Sequence, residues 1–163
     1  MKLRVNTLWR VPVFCIAASW ISFYLTVYLG GFFFTVQTIG ADGVTEVSVD
    51  PLRSAIFNGG LFLIVLLLGG LWAFREMTKA EIAVSAAMIS AVYLSATFLQ
   101  LYFPNFPVSL SVELAVLQNW TGTLGSFLLK ITDQFAFSVL SGNLAPFLFV
   151  PFGRKAGPSS NQL

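Results

Sequence analysis

Four apolar segments constrain this chain more than any other feature of its sequence. They cover residues 11–36, 55–74, 82–103 and 124–152, and each contains the roughly 20 residues that a helix needs to cross a bilayer. Only 10% of the 163 residues are charged and 56% are hydrophobic, whereas a soluble domain carries about 25% charged residues. So few polar groups suit lipid as the solvent. The sequence predicts an all-α integral membrane protein in which residues 1–152 form one domain, a bundle of four transmembrane helices.

The distribution of basic residues predicts how such a bundle is oriented. With four spans, only Arg53 and Lys130 fall on one side, and the other seven of the nine basic residues fall on the opposite side: Lys2, Arg4, Arg10, Arg75, Lys79, Arg154 and Lys155. The side rich in Lys and Arg is cytoplasmic by the positive-inside rule. Both termini are therefore expected in the cytoplasm, beneath a plasma membrane of the bacterial type. The polar residues 153–163 are expected to form a disordered cytoplasmic tail.

The segment before the fourth span has two interpretations. Three leucines recur at helical spacing within residues 108–121, which predicts an amphipathic helix lying on the outer surface with Trp120 at the level of the head groups. A fifth span over residues 108–129 is the alternative. It worsens the split of basic residues from seven against two to six against three, so four spans are favoured.

Two short motifs predict local structure at the two ends of the second span. β-Branched residues stand on both sides of residues 40–43 and the pattern stops at Pro51; this predicts a short outer β-hairpin with a four-residue turn, against the alternative of an irregular loop. Thr78 is followed three residues later by Glu81, which is the pattern of a capping box. Spans two and three are therefore expected to form a tight helical hairpin.

The third span carries a stripe of small residues at four-residue spacing: Ala83, Ala87, Ala91 and Ser95. Small residues on one helical face let a second backbone approach closely, which drives helix association in lipid. We interpret the stripe as a packing face inside the bundle. The alternative is an interface with a second copy of the chain or with another membrane protein.

The fourth span carries the residues that raise the question of function. Charge at the bilayer centre is expensive and usually functional, but counting back about 20 residues from Gly153 places Lys130 and Asp133 near the outer interface. There we expect an exposed ion pair that matters little. The alternative is a polar cleft that opens outward and binds a small polar or anionic molecule, lined by Lys130, Asp133, Gln134, Ser141 and Asn143.

The residue inventory narrows the chemistry. The chain has no histidine and a single cysteine, Cys15, which excludes His-dependent catalysis, His-ligated metal sites and an internal disulfide. No nucleophile, base and metal set converges in the pattern, so we expect no catalytic residues, no metal and no cofactor. A net charge of +2 gives no indication of nucleic-acid binding.

Two functions follow from these observations. The favoured one is a non-enzymatic structural, accessory or interaction protein, whose partners are the lipid bilayer and either a second copy of the chain or another membrane protein. The alternative is a protein that binds or transports a small solute through the polar cleft on the fourth span. The two differ in whether a polar cavity reaches the middle of the bundle.

Overall fold

The computed structural model describes residues 4–39, 45–103 and 105–155. This part of the chain is mainly helical and includes one two-stranded sheet; its elements are α1 (Arg10–Phe33), β1 (Thr35–Ile39), β2 (Thr45–Val49), α2 (Pro51–Leu67), α3 (Lys79–Tyr102), α4 (Val108–Leu117), α5 (Asn119–Thr132) and α6 (Phe135–Asn143). Short 3-10 helices cover Val5–Thr7 and Ala145–Phe152, and a π-helical segment, Leu68–Ala73, prolongs α2.

Three of the helical stretches in the described residues are long and apolar enough to cross a membrane: Val5–Phe33, Pro51–Ala73 and Lys79–Tyr102. They match the first three predicted segments to within a few residues. The fourth segment is not the single helix that we predicted over residues 124–152. It is divided among α5, α6 and the 3-10 helix. The last two meet at a bend of 46° and make a fourth stretch only if the bent pair is one span. Pro146 explains that bend, because a proline cannot donate the helical hydrogen bond and its ring collides with the preceding turn.

The N-terminal segment, the α2–α3 connection and the C-terminal segment meet at one end of the molecule. Arg4 Nε donates to Glu81 Oε1 at 3.1 Å and Arg4 Nη2 to the carbonyl of Glu76 at 2.8 Å. The N–H of Lys79 donates to the carbonyl of Arg154 at 3.1 Å. We call this the basic end, because it gathers five of the basic residues: Arg4, Arg10, Arg75, Lys79 and Arg154.

The local motif at the basic end is formed as the sequence predicts. The capping box is confirmed: Thr78 Oγ1 accepts from the N–H of Glu81, and Glu81 Oε2 accepts from the N–H of Thr78. At the start of the predicted tail, the N–H of Arg154 donates to the carbonyl of Met77 at 3.0 Å; that the tail is disordered stays a prediction. Residues 156–163 lie outside the described part.

The opposite end carries the sheet, and we call it the hairpin end. β1 and β2 are antiparallel, with Thr35 opposite Val49, so the strands of the predicted hairpin are confirmed; its turn, residues 40–43, lies outside the described residues. Asp50 follows β2 directly and caps α2, since its carboxylate accepts from the N–H groups of Leu52 and Arg53. Pro51 then begins α2, a position that suits proline because that N–H would be unpaired in any case.

The face of α3 that packs inside the chain is not the stripe of small residues. Ala87, Ala91 and Ser95 are exposed and Ala83 is half-buried, whereas the buried face combines large and small residues: Glu81, Ile82, Ser85, Ala86, Ile89, Ser90, Tyr93 and Ala96. The stripe therefore lies beside the face of α3 that packs within the described part of the bundle, and not on it as we expected. Contact of the stripe with a second chain stays a prediction.

Candidate functional site

The α4–α5 pair enters the bundle from the hairpin end, turns and leaves again. Along α4 the partners on α3 move toward the basic end: Gln100 Nε2 donates to the carbonyl of Ser111 at 3.3 Å, and Gln118 Nε2 to the carbonyl of Tyr93 at 2.9 Å. Seven residues separate these two partners on α3, which is about 10 Å along a helix axis. α4 therefore descends from the hairpin end into the molecule.

α5 returns in the opposite direction. Next to its first residue, the Trp120 ring stacks on Phe62 with centroids 5.1 Å apart, and Phe62 is the twelfth residue of the 23-residue stretch Pro51–Ala73. Near the other end of α5, Lys130 lines a cleft together with Ser54, in the first turn of α2. We call α4 and α5 the re-entrant pair, and residues 118–120, where the two helices meet, its tip. The tip thus lies at the middle of α2, and α5 runs back to the hairpin end.

This geometry corrects the interpretation of residues 108–121 as one surface helix. The helix ends at Leu117 and a second begins at Asn119. Trp120 is 1% exposed, not at head-group level, and its ring lies between Phe62 and Phe149, with a centroid distance to Phe149 of 5.3 Å. Its indole N–H donates to the carbonyl of Phe62. The leucine periodicity misled the prediction because it marks a helix but not the surface against which that helix lies.

A cleft of about 880 Å³ lies between α2 and the re-entrant pair. Its volume is within the range of about 300–1,000 Å³ typical of small-molecule sites. Four of its polar residues come from α5 at helical spacing: Asn119, Thr123, Ser126 and Lys130. Five more polar residues come from the surrounding helices and the tip: Thr26, Ser54, Asn58, Gln100 and Gln118. The polar face of α5 is therefore turned toward the cleft.

The α2 wall of the cleft changes character with depth. Near the mouth it is polar: Asn58 Oδ1 accepts from Thr26 Oγ1 at 3.2 Å, and its Nδ2 donates to the carbonyl of Ser54 at 2.9 Å. One turn deeper, the wall is formed by Phe62 and Leu63. Asn58 thus has fixed partners that hold its amide at the cleft wall.

Two glycines give the cleft its width. A Cβ built on Gly59 of α2 or on Gly122 of α5 meets no atom within 4 Å, and both residues line the cleft. The other face of α5 is different, because a Cβ on Gly125 would lie 2.9 Å from the carbonyl oxygen of Ser138 in α6. α5 therefore packs tightly on α6 with one face and leaves space in front of the other.

An aromatic cluster lies on the basic-end side of the tip. Phe149 packs edge-on against Phe74 and Phe14, with ring centroids 4.9 and 5.8 Å away, and it stacks on Trp120. Phe74 and Phe149 are completely buried. The π-helical segment that prolongs α2 approaches this cluster at Gly69, where a Cβ would lie 2.5 Å from the Phe149 ring.

A second cavity, of about 300 Å³, lies on the α6 side of α5. Gln100, Gln118 and Ser126 line both cavities. Asn143, 5% exposed, donates its Nδ2 to Thr97 Oγ1 at 3.0 Å, and the hydroxyl of Ser138, 2% exposed, has no hydrogen-bond partner among the described residues. The polar side chains at the tip are thus shared between two spaces.

The structure separates the residues that the sequence grouped into one polar cleft. Lys130 lines the large cleft and Asn143 the small cavity, whereas Asp133, Gln134 and Ser141 belong to the lining of neither. Asp133 ends α5 in a left-handed conformation, with φ 52°. The ion pairs in the described residues are Arg4–Glu81, Arg10–Glu76 and Arg53–Asp50, so the expected pair between Lys130 and Asp133 is not formed.

Sequence reasoning missed the residues of the tip. Gln118 and Asn119 break the helix near mid-depth, and Gln118 reaches both Tyr93 and Thr97 of α3. Irregular backbone at such a depth is tolerated where it is buried in protein or lines a cavity. One sequence signal could have indicated the cleft. Residues 119, 123, 126 and 130 are polar at spacings of three and four, which is the pattern of an amphipathic helix with one polar face.

No protein-family model, curated protein sequence or solved structure matches this chain.

Proposed function

We propose that the chain is an integral membrane protein with four spans and cytoplasmic termini that binds a small solute in the cleft between α2 and α5. The basic end would face the cytoplasm, in accordance with the positive-inside rule, and the cleft would then open outward. Under this proposal the bent pair Phe135–Asn143 and Ala145–Phe152 is the fourth span. The favoured function from sequence, an accessory or interaction protein without a solute site, becomes the second candidate.

One observation carries this proposal: a cleft with nine polar side chains extends from Ser54 and Lys130 near the hairpin end to Asn119 at the tip. Burying polar groups in a bundle costs free energy unless they are paired or solvated, so a protein that only had to pack would fill this volume with apolar side chains. Broken helices that place polar groups at mid-depth are also the arrangement that transporters use for their solute sites.

The aromatic cluster below the tip limits what the cleft does in this conformation. Trp120, Phe149 and Phe74 are 0–1% exposed and close the path toward the basic end. The arrangement is therefore a site closed toward the basic end, suited to binding. Transport would require this cluster to move.

Cysteine labelling tests the proposal without knowledge of the ligand. We expect Asn119→Cys to react with a membrane-impermeant maleimide applied from outside intact cells, because the cleft carries water to the tip. Cys15 is 0% exposed and serves as the internal negative control. Adding Gly122→Leu should slow labelling at least about tenfold, since a leucine there fills the cleft, whereas Gly60→Leu should not, since Gly60 lies outside the lining.

Labelling of Ser54→Cys at the mouth without labelling of Asn119→Cys would contradict the proposal and favour the accessory function. Labelling of Asn119→Cys only after the cytoplasmic face is exposed would contradict the orientation. A reporter fused at Ala41 should read outside and one fused at Glu76 should read cytoplasm, which tests the four-span topology independently.

A further inference from the structure

The charge of the cleft is set by one residue. In the part of the chain that the structure describes, Lys130 is the only charged side chain that lines the cleft, and no carboxylate contributes to the lining. Within the described ranges no acidic side chain forms an ion pair with Lys130 either. A lone cation near amide and hydroxyl donors favours a ligand with an anionic group, because charge-assisted hydrogen bonds are roughly twice as strong as neutral ones.

The apolar part of the lining points to a second feature of the ligand. Phe62 and Leu63 of α2 and Leu124 and Phe127 of α5 contribute large apolar side chains. Leu63 and Phe127 are each 56% exposed, so the apolar lining continues onto the outer surface of both helices. In a membrane such side chains face acyl chains, and the cleft is therefore open sideways to lipid as well as toward the hairpin end.

From these two observations we infer that the ligand is an amphiphile with an acidic head group: the head lies at Lys130, and an apolar chain lies along Phe62, Leu63, Leu124 and Phe127. This inference rests on the proposed function and adds the chemical class of the ligand. A soluble anion such as phosphate shares the head-group chemistry, but it would leave the apolar side of the cleft without a partner.

The test measures binding of radiolabelled dodecanoate to the purified full chain in phosphatidylcholine nanodiscs, with protein-free discs as the blank. Two competitors separate the features of the ligand. Unlabelled dodecanol has the apolar chain of dodecanoate without its charge, and inorganic phosphate has a negative charge without an apolar chain. We expect saturable binding that dodecanoate displaces, and that neither dodecanol nor phosphate displaces at a tenfold higher concentration than dodecanoate needs.

Variants locate the binding. Lys130→Gln should weaken it about tenfold or more, the usual effect of losing a hydrogen bond to a charged group, whereas Lys130→Arg should keep it within about threefold because the charge remains. Gly122→Leu should abolish it and Gly60→Leu should not. If Gly122→Leu does not fold, Gly59→Leu fills the cleft from the opposite wall.

Each other result overturns the inference in a distinguishable way. If dodecanol displaces the label as effectively as dodecanoate does, the ligand does not need an acidic head group. If phosphate binds and Gly122→Leu blocks that binding, the ligand does not need an apolar chain, and the proposed function still stands. If dodecanoate still binds to both the Lys130→Gln and the Gly122→Leu variants, it binds outside the cleft, and the assignment of the amphiphile to the cleft is wrong. If no probe binds while Asn119→Cys is still labelled, the amphiphile is wrong and the solute cleft stands; if labelling fails too, the proposed function is also wrong.

Discussion

Two regions of this bundle, the aromatic cluster and the cleft, use glycine for opposite purposes. In the aromatic cluster, glycines of the π-helical segment that prolongs α2 allow rings to approach the backbone, as at Gly69, where a Cβ would lie 2.5 Å from Phe149. On the hairpin-end side, Gly59 and Gly122 face open space. A glycine in a helix costs about 1 kcal/mol relative to alanine, so tight packing explains the first kind. The second kind has no packing role among the described residues, and the ligand that we propose for the cleft would give Gly59 and Gly122 one.

α5 shows the same contrast within one helix. Gly125 and Gly142 bring α5 and α6 together, with a Cβ on Gly142 lying 3.1 Å from the carbonyl oxygen of Thr121. One turn away, Gly122 and Ser126 border the cleft. The comparison teaches that glycine content alone does not mark a packing interface; the face on which the glycine lies decides.

The largest effect should come from the aromatic cluster. Phe149→Ala removes a fully buried ring that contacts Phe14, Phe74 and Trp120, and it should lower the free energy of unfolding by about 3–5 kcal/mol. Phe127→Ala, in the cleft at 56% exposure, should cost less than about 1 kcal/mol, because surface substitutions are usually small. Unfolding by heat and by denaturing detergent measures both. Equal losses would mean that the two regions are not packed differently.

A second matched pair compares two neighbouring residues of α3. Ala86 is 0% exposed and Ala87 is exposed, so Ala86→Leu should reach the upper part of the roughly 1–3 kcal/mol range for overpacking and Ala87→Leu should cost little. Thermal unfolding of both variants, with size-exclusion chromatography beside it, provides the measurement. If Ala87→Leu also destabilises the protein and reduces its oligomeric size, the stripe of small residues packs against a second copy of the chain.

The sequence predicted what depends on neighbours along the chain. Apolar runs located the first three helices, β-branched residues located β1 and β2, and the Thr78–Glu81 spacing located a cap, because each of these is settled by residues within a few positions. The re-entrant pair could not be found in this way. Its tip is held by Gln118 on Tyr93 and Thr97 and by a 3.4 Å hydrogen bond from the N–H of Trp120 to Ser19 Oγ, and no local pattern encodes partners that distant.

The candidate site was predicted only in outline for the same reason. Lys130 stood out in the sequence because a cation in an apolar run is conspicuous; it lines the cleft, and its role in binding stays a prediction. Gln134 and Ser141 were grouped with it on the assumption of one continuous helix. Asp133 ends α5 with φ 52°, and the chain reverses there, so the helical face that joined these residues does not exist. Lys130 instead lines the cleft whose opposite wall is formed by α2.

The third pair compares the two faces of α5. Gly125→Ala places a methyl group 2.9 Å from the carbonyl oxygen of Ser138 and should destabilise the protein by about 1–2 kcal/mol, because backbone atoms must move. Gly122→Ala meets no atom within 4 Å and should be neutral or stabilise it by up to about 1 kcal/mol through helix propensity. Thermal unfolding in the presence and absence of dodecanoate reads both effects. A loss for Gly122→Ala as large as for Gly125→Ala would show that the cleft is closed in solution.

The smallest effect on stability should come from Lys130, the residue to which we assign the acidic head group of the proposed ligand. Lys130 lies in the last turn of α5, where a cation is favoured by the helix dipole by about 0.3–1 kcal/mol, and no ion pair within the described residues is lost with it. Lys130→Gln should therefore change the free energy of unfolding by less than about 1 kcal/mol, and Asp133→Asn should change neither stability nor binding. Measuring unfolding and dodecanoate binding on the same preparations separates the two properties. A Lys130→Gln variant that unfolds several kcal/mol more easily would show that the lysine serves the fold, because a side chain kept for a ligand leaves the empty protein almost unchanged when it is removed.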